Sequence, residues 1–349
     1  MSAIMTVTGP VDSRSCSMVL SHEHLFIDLS NQAAPGAPPR RIIPGDRPLL
    51  MRDPYCLKNN LKLDQYDSAR QSCIELKQAG CDVVVDCTLK EIGRDPVLLR
   101  KLARETGMNL VMGCGWYTAD THPAETGSLT AERLAERLVA EIRNGVEDTG
   151  VRPGIIGEIG TGRVLAERER KALIAAALAQ KETGLSIQVH VYPWSTNGLE
   201  ICDLLFRYGV PCGRIVICHS DVTPDWVYIR ALLEKGVYVQ LDNFGKEFTP
   251  GPGGFAAGRF ITDRERADLA LRIIREGFAA QLLLTNDICL KCMLPEYGGS
   301  GYTHIFRDII PLLCEGGIPE DFLRQKIMHE NPLAMLAADR RLYSTGGAE

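Results

Sequence analysis

The 349-residue sequence has no apolar run long enough to span a bilayer, and no basic segment followed by an apolar core at its start. It also lacks an excess of cationic residues: 39 Lys and Arg stand against 44 Asp and Glu, which gives a formal net charge of -5. Because Lys and Arg are scattered, the chain offers no basic surface for a nucleic acid or an anionic membrane. We therefore expect a cytoplasmic protein that acts on a small molecule and has neither a nucleic-acid nor a membrane partner.

A second C-x-x-C pair is missing as well. Cys289 and Cys292 form the single such motif, so a structural zinc site of four thiolates is not predicted. The 12 cysteines are spread over a long chain, and several, such as Cys87 and Cys114, lie in apolar runs. We expect them to be reduced core residues.

Eight short, β-rich apolar runs alternate with stretches of helical periodicity. The runs cover residues 19–26, 82–88, 109–117, 154–161, 186–192, 215–221, 237–243 and 282–288. Eight buried strands joined by crossover helices predict an α/β protein, a single (β/α)8 TIM barrel formed by residues 1–349. The main alternative is an open doubly wound sheet, but the first run is not followed by the G-x-G-x-x-G turn that is typical of dinucleotide-binding sheets.

Two long loops follow predicted strands. Residues 30–58, rich in Pro and Arg, follow the first strand, and residues 244–261, rich in Gly, follow the seventh. Loops after the strands of a barrel lie at its catalytic end. We predict that both act as lids over the substrate.

Side chains that can bind a metal recur near the ends of five of the strands. They are His22 and His24, Glu158, His190, His219 and Asp287. In a barrel these strand ends converge, so the six residues become neighbours. Each has an ordinary structural alternative when taken alone, such as a core histidine or a helix cap, but together they favour a binuclear metal site at the C-terminal ends of the strands. Imidazole and carboxylate ligands suit Zn²⁺ first, and also Mn²⁺, Co²⁺ or Fe²⁺.

Five segments carry a family resemblance: "SHEHLF" (21–26), "GIIGEIG" (154–160), "CHSD" (218–221), "NDICLK" (286–291) and "YGGSGYTHI" (297–305). The chain resembles the amidohydrolase superfamily, and within it the phosphotriesterase-related group. The resemblance implies that His22, His24 and Asp287 hold one ion and that His190 and His219 hold the other. Many relatives bridge the ions with a carboxylated lysine, whereas this chain is similar to the glutamate-bridged members, with Glu158 as the bridge.

The resemblance also implies a homodimer and hydrolytic chemistry. Two cations ionise a water near neutral pH, and Asp287 is the expected catalytic residue that takes up its proton. We expect a lactone or related carboxylic ester as substrate, with N-acyl amino acids as the alternative. Organophosphate triesters are a further alternative, although Asn243 and Val222 stand where phosphotriesterases carry a His and an Asp. A metal-binding scaffold without catalysis is the alternative outside enzymes.

Candidate substrate residues lie close to the same strand ends. Trp116, Tyr117, Tyr192 and Trp194 end strands three and five and are candidates for an apolar wall. Lys246, Arg259 and Lys291 follow strands seven and eight, and are the cations available to an anionic substrate group.

Overall fold

The computed structural model describes residues 2–222, 224–251 and 256–339. Eight strands form the central sheet, in the spatial order in which they follow one another in the chain. They are β1 (Met18–Glu23), β2 (Cys81–Asp86), β3 (Asn109–Cys114), β4 (Ile155–Gly160), β5 (Ile187–His190), β6 (Ile215–Ile217), β7 (Tyr238–Leu241) and β8 (Leu282–Leu284). Each strand pairs with its neighbour in parallel from β1 to β8.

Helices connect the strands on the outside of the sheet. They are α1 (Tyr66–Gln78), α2 (Pro96–Thr106), α3 (Ala131–Asn144), α4 (Glu167–Thr183), α5 (Gly198–Arg207), α6 (Trp226–Glu234) and α7 (Asp263–Arg275). Short helices cover Arg47–Leu50, Ala124–Ser128 and Glu320–Phe322. After β8 the chain forms π-helical turns at Ile305–Ile309 and Leu323–Glu330, which continue into helices at Ile310–Glu315 and Asn331–Leu336.

The helix α3 shows how the sequence sets these elements. Thr130 caps its first turn by accepting a hydrogen bond from the backbone N–H of Arg133. Leu134, Leu138 and Ile142 recur every four residues and are all buried, so one face of the helix packs on the sheet.

The seam between β1 and β8 is joined by the side chain of Glu23. Its Oε1 accepts hydrogen bonds from Thr285 Oγ1 (2.7 Å), Asn286 N (2.9 Å) and Asn286 Nδ2 (3.0 Å), and its Oε2 accepts from Ile288 N (2.8 Å). The predicted (β/α)8 barrel is confirmed, with its first and last strands linked through a fully buried carboxylate. That the whole chain forms a single domain stays a prediction, because residues 1, 223, 252–255 and 340–349 lie outside the described residues.

The strands are shorter than the sequence predicts at their C-terminal ends. The run predicted at 215–221 ends as a strand at Ile217, and the run at 282–288 ends at Leu284. The reason is local: His219 and Asp287 have φ angles of 58° and 50°, in the left-handed region that a strand cannot contain. The chain leaves the ladder there and turns these side chains over the end of the barrel.

The opposite end of the barrel is covered by a hairpin. Strands Ser2–Thr6 and Gly9–Asp12 pair with each other, and the first also pairs with Ala338–Asp339. Val7 N donates to Leu110 O at the start of β3 (2.8 Å).

The two predicted lid loops meet over the C-terminal end, where Thr249 N donates to Met51 O (2.8 Å). Residues 252–255 of the second loop lie outside the described residues. The lid role itself stays a prediction. No helix in the described part of the chain is long and apolar enough to cross a membrane.

Candidate metal centre

Six predicted ligands lie on or just beyond five strands and meet at the C-terminal end of the barrel. Glu158, on β4, lies between the histidines: its Oε2 is 3.4 Å from His22 Nε2, from His190 Nδ1 and from His219 Nε2. Its Oε1 is 3.5 Å from His24 Nε2. The structure therefore brings all the predicted ligands together, with Glu158 in contact with both pairs of histidines.

The ligand atoms fall into two groups that share the space beside Glu158. His22, His24 and Asp287 form one group, and Glu158, His190 and His219 form the other; within each, the candidate atoms lie within 4.8 Å of one another. In the first group His24 Nε2 is 3.1 Å from Asp287 Oδ1. In the second, His219 Nε2 is 2.9 Å from His190 Nδ1.

A glycine before Glu158 allows its side chain to reach this position. Gly157 has a φ of 126°, and a Cβ on it would lie 2.3 Å from the carbonyl oxygen of Gln188. The pairing of β4 with β5 also shifts register between Ile156 and Ile159. A bulge of this kind redirects a side chain relative to a regular strand.

Unpartnered polar atoms test whether cations fit here. His22 Nε2, Glu158 Oε2 and Asp287 Oδ1 are buried and have no hydrogen-bond partner among the described residues. Buried acceptors of this kind are costly unless something satisfies them. Three such atoms, from three strands and facing the same space, together with a set of imidazole and carboxylate donors, fit two divalent cations.

Hydrogen bonds from deeper residues fix the histidine rings. His22 Nδ1 lies 3.0 Å from Gln240 Oε1, and His24 Nδ1 lies 2.9 Å from Thr88 Oγ1. His219 Nδ1 lies 2.9 Å from Asp242 Oδ1, and that carboxylate also accepts the backbone N–H of His219. With Nδ1 engaged, each ring turns its Nε2 toward the centre.

The charges of the site reinforce one another. Burial raises the pKa of Glu158, but His22 and the other histidines outweigh burial and bring it well below its usual range. Burial lowers the pKa of His24, yet Asp287 and Glu158 outweigh it and raise the pKa to about 10. The carboxylates are therefore ionised and available as ligands.

Asp287 is held from two sides. Its Oδ1 faces His24, while its Oδ2 accepts a hydrogen bond from the ammonium of Lys246. Lys246 is in turn fixed by its backbone carbonyl, which accepts from Nη2 of the fully buried Arg266 (3.0 Å). The left-handed backbone at Asp287 is thus supported by its surroundings.

A cavity of about 890 Å³ opens above this centre. One wall is a continuous series of aromatic rings: Tyr192 to Trp194 (5.8 Å between centroids), Trp194 to Phe260 (5.4 Å) and Phe260 to Phe248 (5.3 Å). The two predicted lid loops contribute Tyr55 and Phe248, among others, to the lining. The cavity thus joins the metal-binding residues to a largely apolar space.

The predicted substrate residues divide into two sets. Tyr117, Tyr192, Trp194 and Lys246 line the cavity, and the Tyr117 hydroxyl lies 3.3 Å from His190 Nδ1. Trp116 and Lys291 are not among the described residues of the lining. Trp116 is buried in the core, and Lys291 pairs with Asp64 (2.8 Å).

Sequence reasoning missed the residues that position the ligands. Thr88 and Gln240 are ordinary strand residues by type and carry no motif. Glu23 had a visible signal, since a carboxylate between two metal-binding histidines in an apolar run needs a buried partner. Asp242 also had one, because it ends the seventh strand as the ligands end theirs.

Comparison with known proteins shows which family and which solved structures this chain resembles. A model of the phosphotriesterase family matches residues 2–336. An N-acetyltaurine hydrolase from Xenopus tropicalis is 33% identical over 338 residues, 94% of this chain and 96% of that protein. The crystal structure of a resiniferatoxin-binding protein from Rhodobacter sphaeroides has a TM-score of 0.89 and 32% identity, and covers 96% of this chain and 94% of that one. A lactonase structure from Listeria monocytogenes, covering 96% and 98%, has a TM-score of 0.77 but 22% identity, a likeness that shows the fold alone.

Proposed function

The chain belongs to the phosphotriesterase family and is a metal-dependent hydrolase, and from this premise we propose that it cleaves the amide bond of a small N-acyl amine. We prefer an amide to the lactone expected from sequence because this chain is more similar to an amide hydrolase than to a lactonase. The N-acetyltaurine hydrolase is 33% identical over nearly the whole chain, whereas the likeness to the lactonase supports only the common fold.

The observation that carries the proposal is the convergence of six side chains on one buried space below the cavity. We propose that His22, His24 and Asp287 hold one cation, that His190 and His219 hold the other, and that Glu158 bridges them. The contacts of Glu158 Oε1 and Oε2 with histidines of both pairs support the bridging role. Zn²⁺ is the proposed metal, and the same donors accept Mn²⁺, Co²⁺ or Fe²⁺.

The cations supply Lewis acidity, which lowers the pKa of water from 15.7 to about 7 in the best-known zinc case and polarises a carbonyl. Residues of the chain transfer the protons and position the reacting groups. Asp287, whose Oδ1 faces the histidines, would take up the proton of the attacking water and deliver it to the departing nitrogen. Lys246 holds Oδ2 of the same carboxylate and so keeps Oδ1 turned inward.

The cavity walls orient the substrate and exclude water from it. The Tyr117 hydroxyl, 3.3 Å from His190 Nδ1, lies where it can donate to the substrate carbonyl. Tyr192 and Trp194 cover the apolar acyl group. Organophosphate turnover is proposed only as a side activity, since Asn243 donates to Asp221 and Asp242 (2.7 and 2.8 Å) and cannot relay a proton as a histidine would.

We further propose a homodimer in the cytoplasm. All 12 cysteines are free, which supports a reducing compartment. Light scattering after size-exclusion chromatography tests the dimer.

The test of the proposed function combines metal analysis with a substrate panel of N-acetyltaurine, N-acetyl amino acids, γ-lactones and paraoxon. We expect about two metal ions per chain and the highest kcat/KM on an N-acyl amine, lost on chelation and restored by Zn²⁺. Glu158→Ala should lose bound metal and lower kcat by roughly 1,000-fold or more, while Glu167→Ala on the exposed start of α4 should retain both.

Three results would contradict parts of this proposal. Faster turnover of lactones than of amides would overturn the substrate class. Bound metal without turnover of any member of the panel would favour the scaffold alternative. Turnover that survives complete metal removal would overturn the mechanism.

A further inference from the structure

The three cationic residues that follow strands seven and eight have different surroundings in the structure. Arg259 is exposed and pairs with Glu265, and the ammonium of Lys291 pairs with Asp64 (2.8 Å). Lys246 alone of the three lines the cavity. Of these three cations, Lys246 is therefore the one whose charge is available to a molecule bound above the candidate metal centre.

The ammonium of Lys246 is short of acceptors. It has three N–H donors, and among the described residues Oδ2 of Asp287 is its single acceptor. The side chain is buried, with 5% of the residue exposed, so bulk water cannot fully solvate the remaining donors. A buried ammonium with unfilled donors is costly unless a ligand completes its shell.

We propose that the space beside Lys246 is an anion subsite, and that the substrate is an N-acyl amine whose amine part carries a carboxylate or a sulfonate. This inference rests on the proposed function and narrows its substrate class. The acid group of the substrate accepts hydrogen bonds from the two free donors of Lys246, while the third stays on Asp287. Charge-assisted bonds of this kind are the strongest that an ammonium makes.

Arg163 is the rival for this role, since it is the other cation in the cavity lining apart from the histidines. It is exposed at the rim, where water competes for its donors and screens its charge. The nearby carboxylate of Glu169, which accepts the N–H of Gly162 (3.1 Å), also opposes an anion there. Lys246 is buried, so water competes less for its donors, and its hydrogen bond to Asp287 leaves two of its three donors open.

The test compares an acidic substrate with an uncharged isostere in matched variants. N-acetyltaurine is paired with its methyl sulfone analogue, and N-acetyl-β-alanine with N-acetyl-β-alaninamide. The readout is selectivity, the ratio of kcat/KM for the acid to that for its neutral partner. Any general damage to Asp287 cancels in this ratio, because it lowers both values equally.

Wild-type protein should prefer the acids, and Lys246→Met should lower the selectivity by about 10- to 100-fold. Lys246→Arg should retain most of it. Arg163→Gln, which removes the same charge from the same cavity, should change it by less than about 3-fold. Loss of selectivity in Arg163→Gln instead, an unchanged ratio in Lys246→Met, or no preference in the wild type would each overturn the proposal.

Calorimetry with propane-1-sulfonate separates this proposal from the proposed function. The unreactive anion should bind to wild-type protein and to Arg163→Gln but not to Lys246→Met. If no amide is turned over yet the sulfonate binds through Lys246, the subsite stands and the amidase assignment fails. If amides are turned over but the sulfonate binds equally to all three proteins, the subsite is refuted while the amidase stands.

Discussion

Replacing Glu23 by Gln tests whether the seam of the barrel also supports the metal centre. The carboxylate accepts four hydrogen bonds, three at Oε1 and one at Oε2. Two of the donors are the backbone N–H groups of Asn286 and Ile288, which flank Asp287. A glutamine has the same shape but one acceptor oxygen, so its amino group must face at least one of these donors.

The cost follows from the bonds that change. One buried donor left without an acceptor costs about 1–3 kcal/mol, and the remaining bonds, no longer charge-assisted, each weaken by about 1 kcal/mol. Glutamine is uncharged, so the substitution also removes the desolvation cost of the fully buried charge of Glu23. This gain offsets part of the lost stability. We expect the free energy of unfolding of the metal-free protein to fall by about 2–4 kcal/mol in Glu23→Gln.

The metal should be lost as well, because the backbone that carries Asp287 is no longer held on both sides. The assay is urea unfolding of chelator-treated protein, together with metal retained during dialysis against a chelator. Glu169→Gln is the matched control: Glu169 is also buried (2% exposed) and accepts the N–H groups of Ala119, Gly162 and Ala166. None of these three donors belongs to a candidate metal ligand. The control variant should be destabilised to a similar extent and retain metal.

Two results would refute this reasoning. If Glu23→Gln unfolds within about 0.5 kcal/mol of the wild type, the seam does not depend on the carboxylate. If both glutamine variants release metal equally, the loss reflects general destabilisation and not the support of Asp287.

Three other changes test separate parts of the structure. Thr88→Val removes the partner of His24 Nδ1 and should weaken metal binding by about 10- to 100-fold in a chelator competition, whereas an unchanged affinity would show that the ring needs no such support. Gly157→Ala, with its φ of 126° and a Cβ 2.3 Å from a carbonyl oxygen, should lower the free energy of unfolding by roughly 3 kcal/mol or more in urea. Burial lowers the pKa of His304, but Asp263 and Asp308 outweigh burial and raise the pKa above 6.5. Protonated His304 therefore stabilises the folded protein. This stabilisation is complete below the pKa of His304 in the unfolded chain and is lost as the pH rises through its pKa in the folded protein. The stability advantage of the wild type over His304→Gln should therefore be larger at about pH 6 than at about pH 9 in urea unfolding, and an equal advantage at both would contradict the assignment.

Local features made much of the fold and of the candidate ligand set predictable. Eight β-rich runs separated by helical periodicity specify strands buried on both faces and crossover helices, and the barrel they predict is confirmed. His22 and His24, two positions apart, and single polar residues near other strand ends also follow from sequence, since residue type and spacing are properties of the chain alone. The ends of the strands were less predictable: the apolar character continues past Ile217, and only the left-handed turn at His219 ends the strand.

Which partner each charged or aromatic residue takes was decided by the tertiary structure. Lys246 and Lys291 are equivalent by sequence, yet one ammonium reaches Asp287 and the other reaches Asp64. Glu23 finds its donors in the segment just after β8, more than 260 positions away. Such contacts depend on how a closed barrel brings distant backbone together, and a side chain's type does not contain that information. The sequence by itself therefore determined the elements and the chemistry offered at their ends, while the closure of the barrel decided which groups meet.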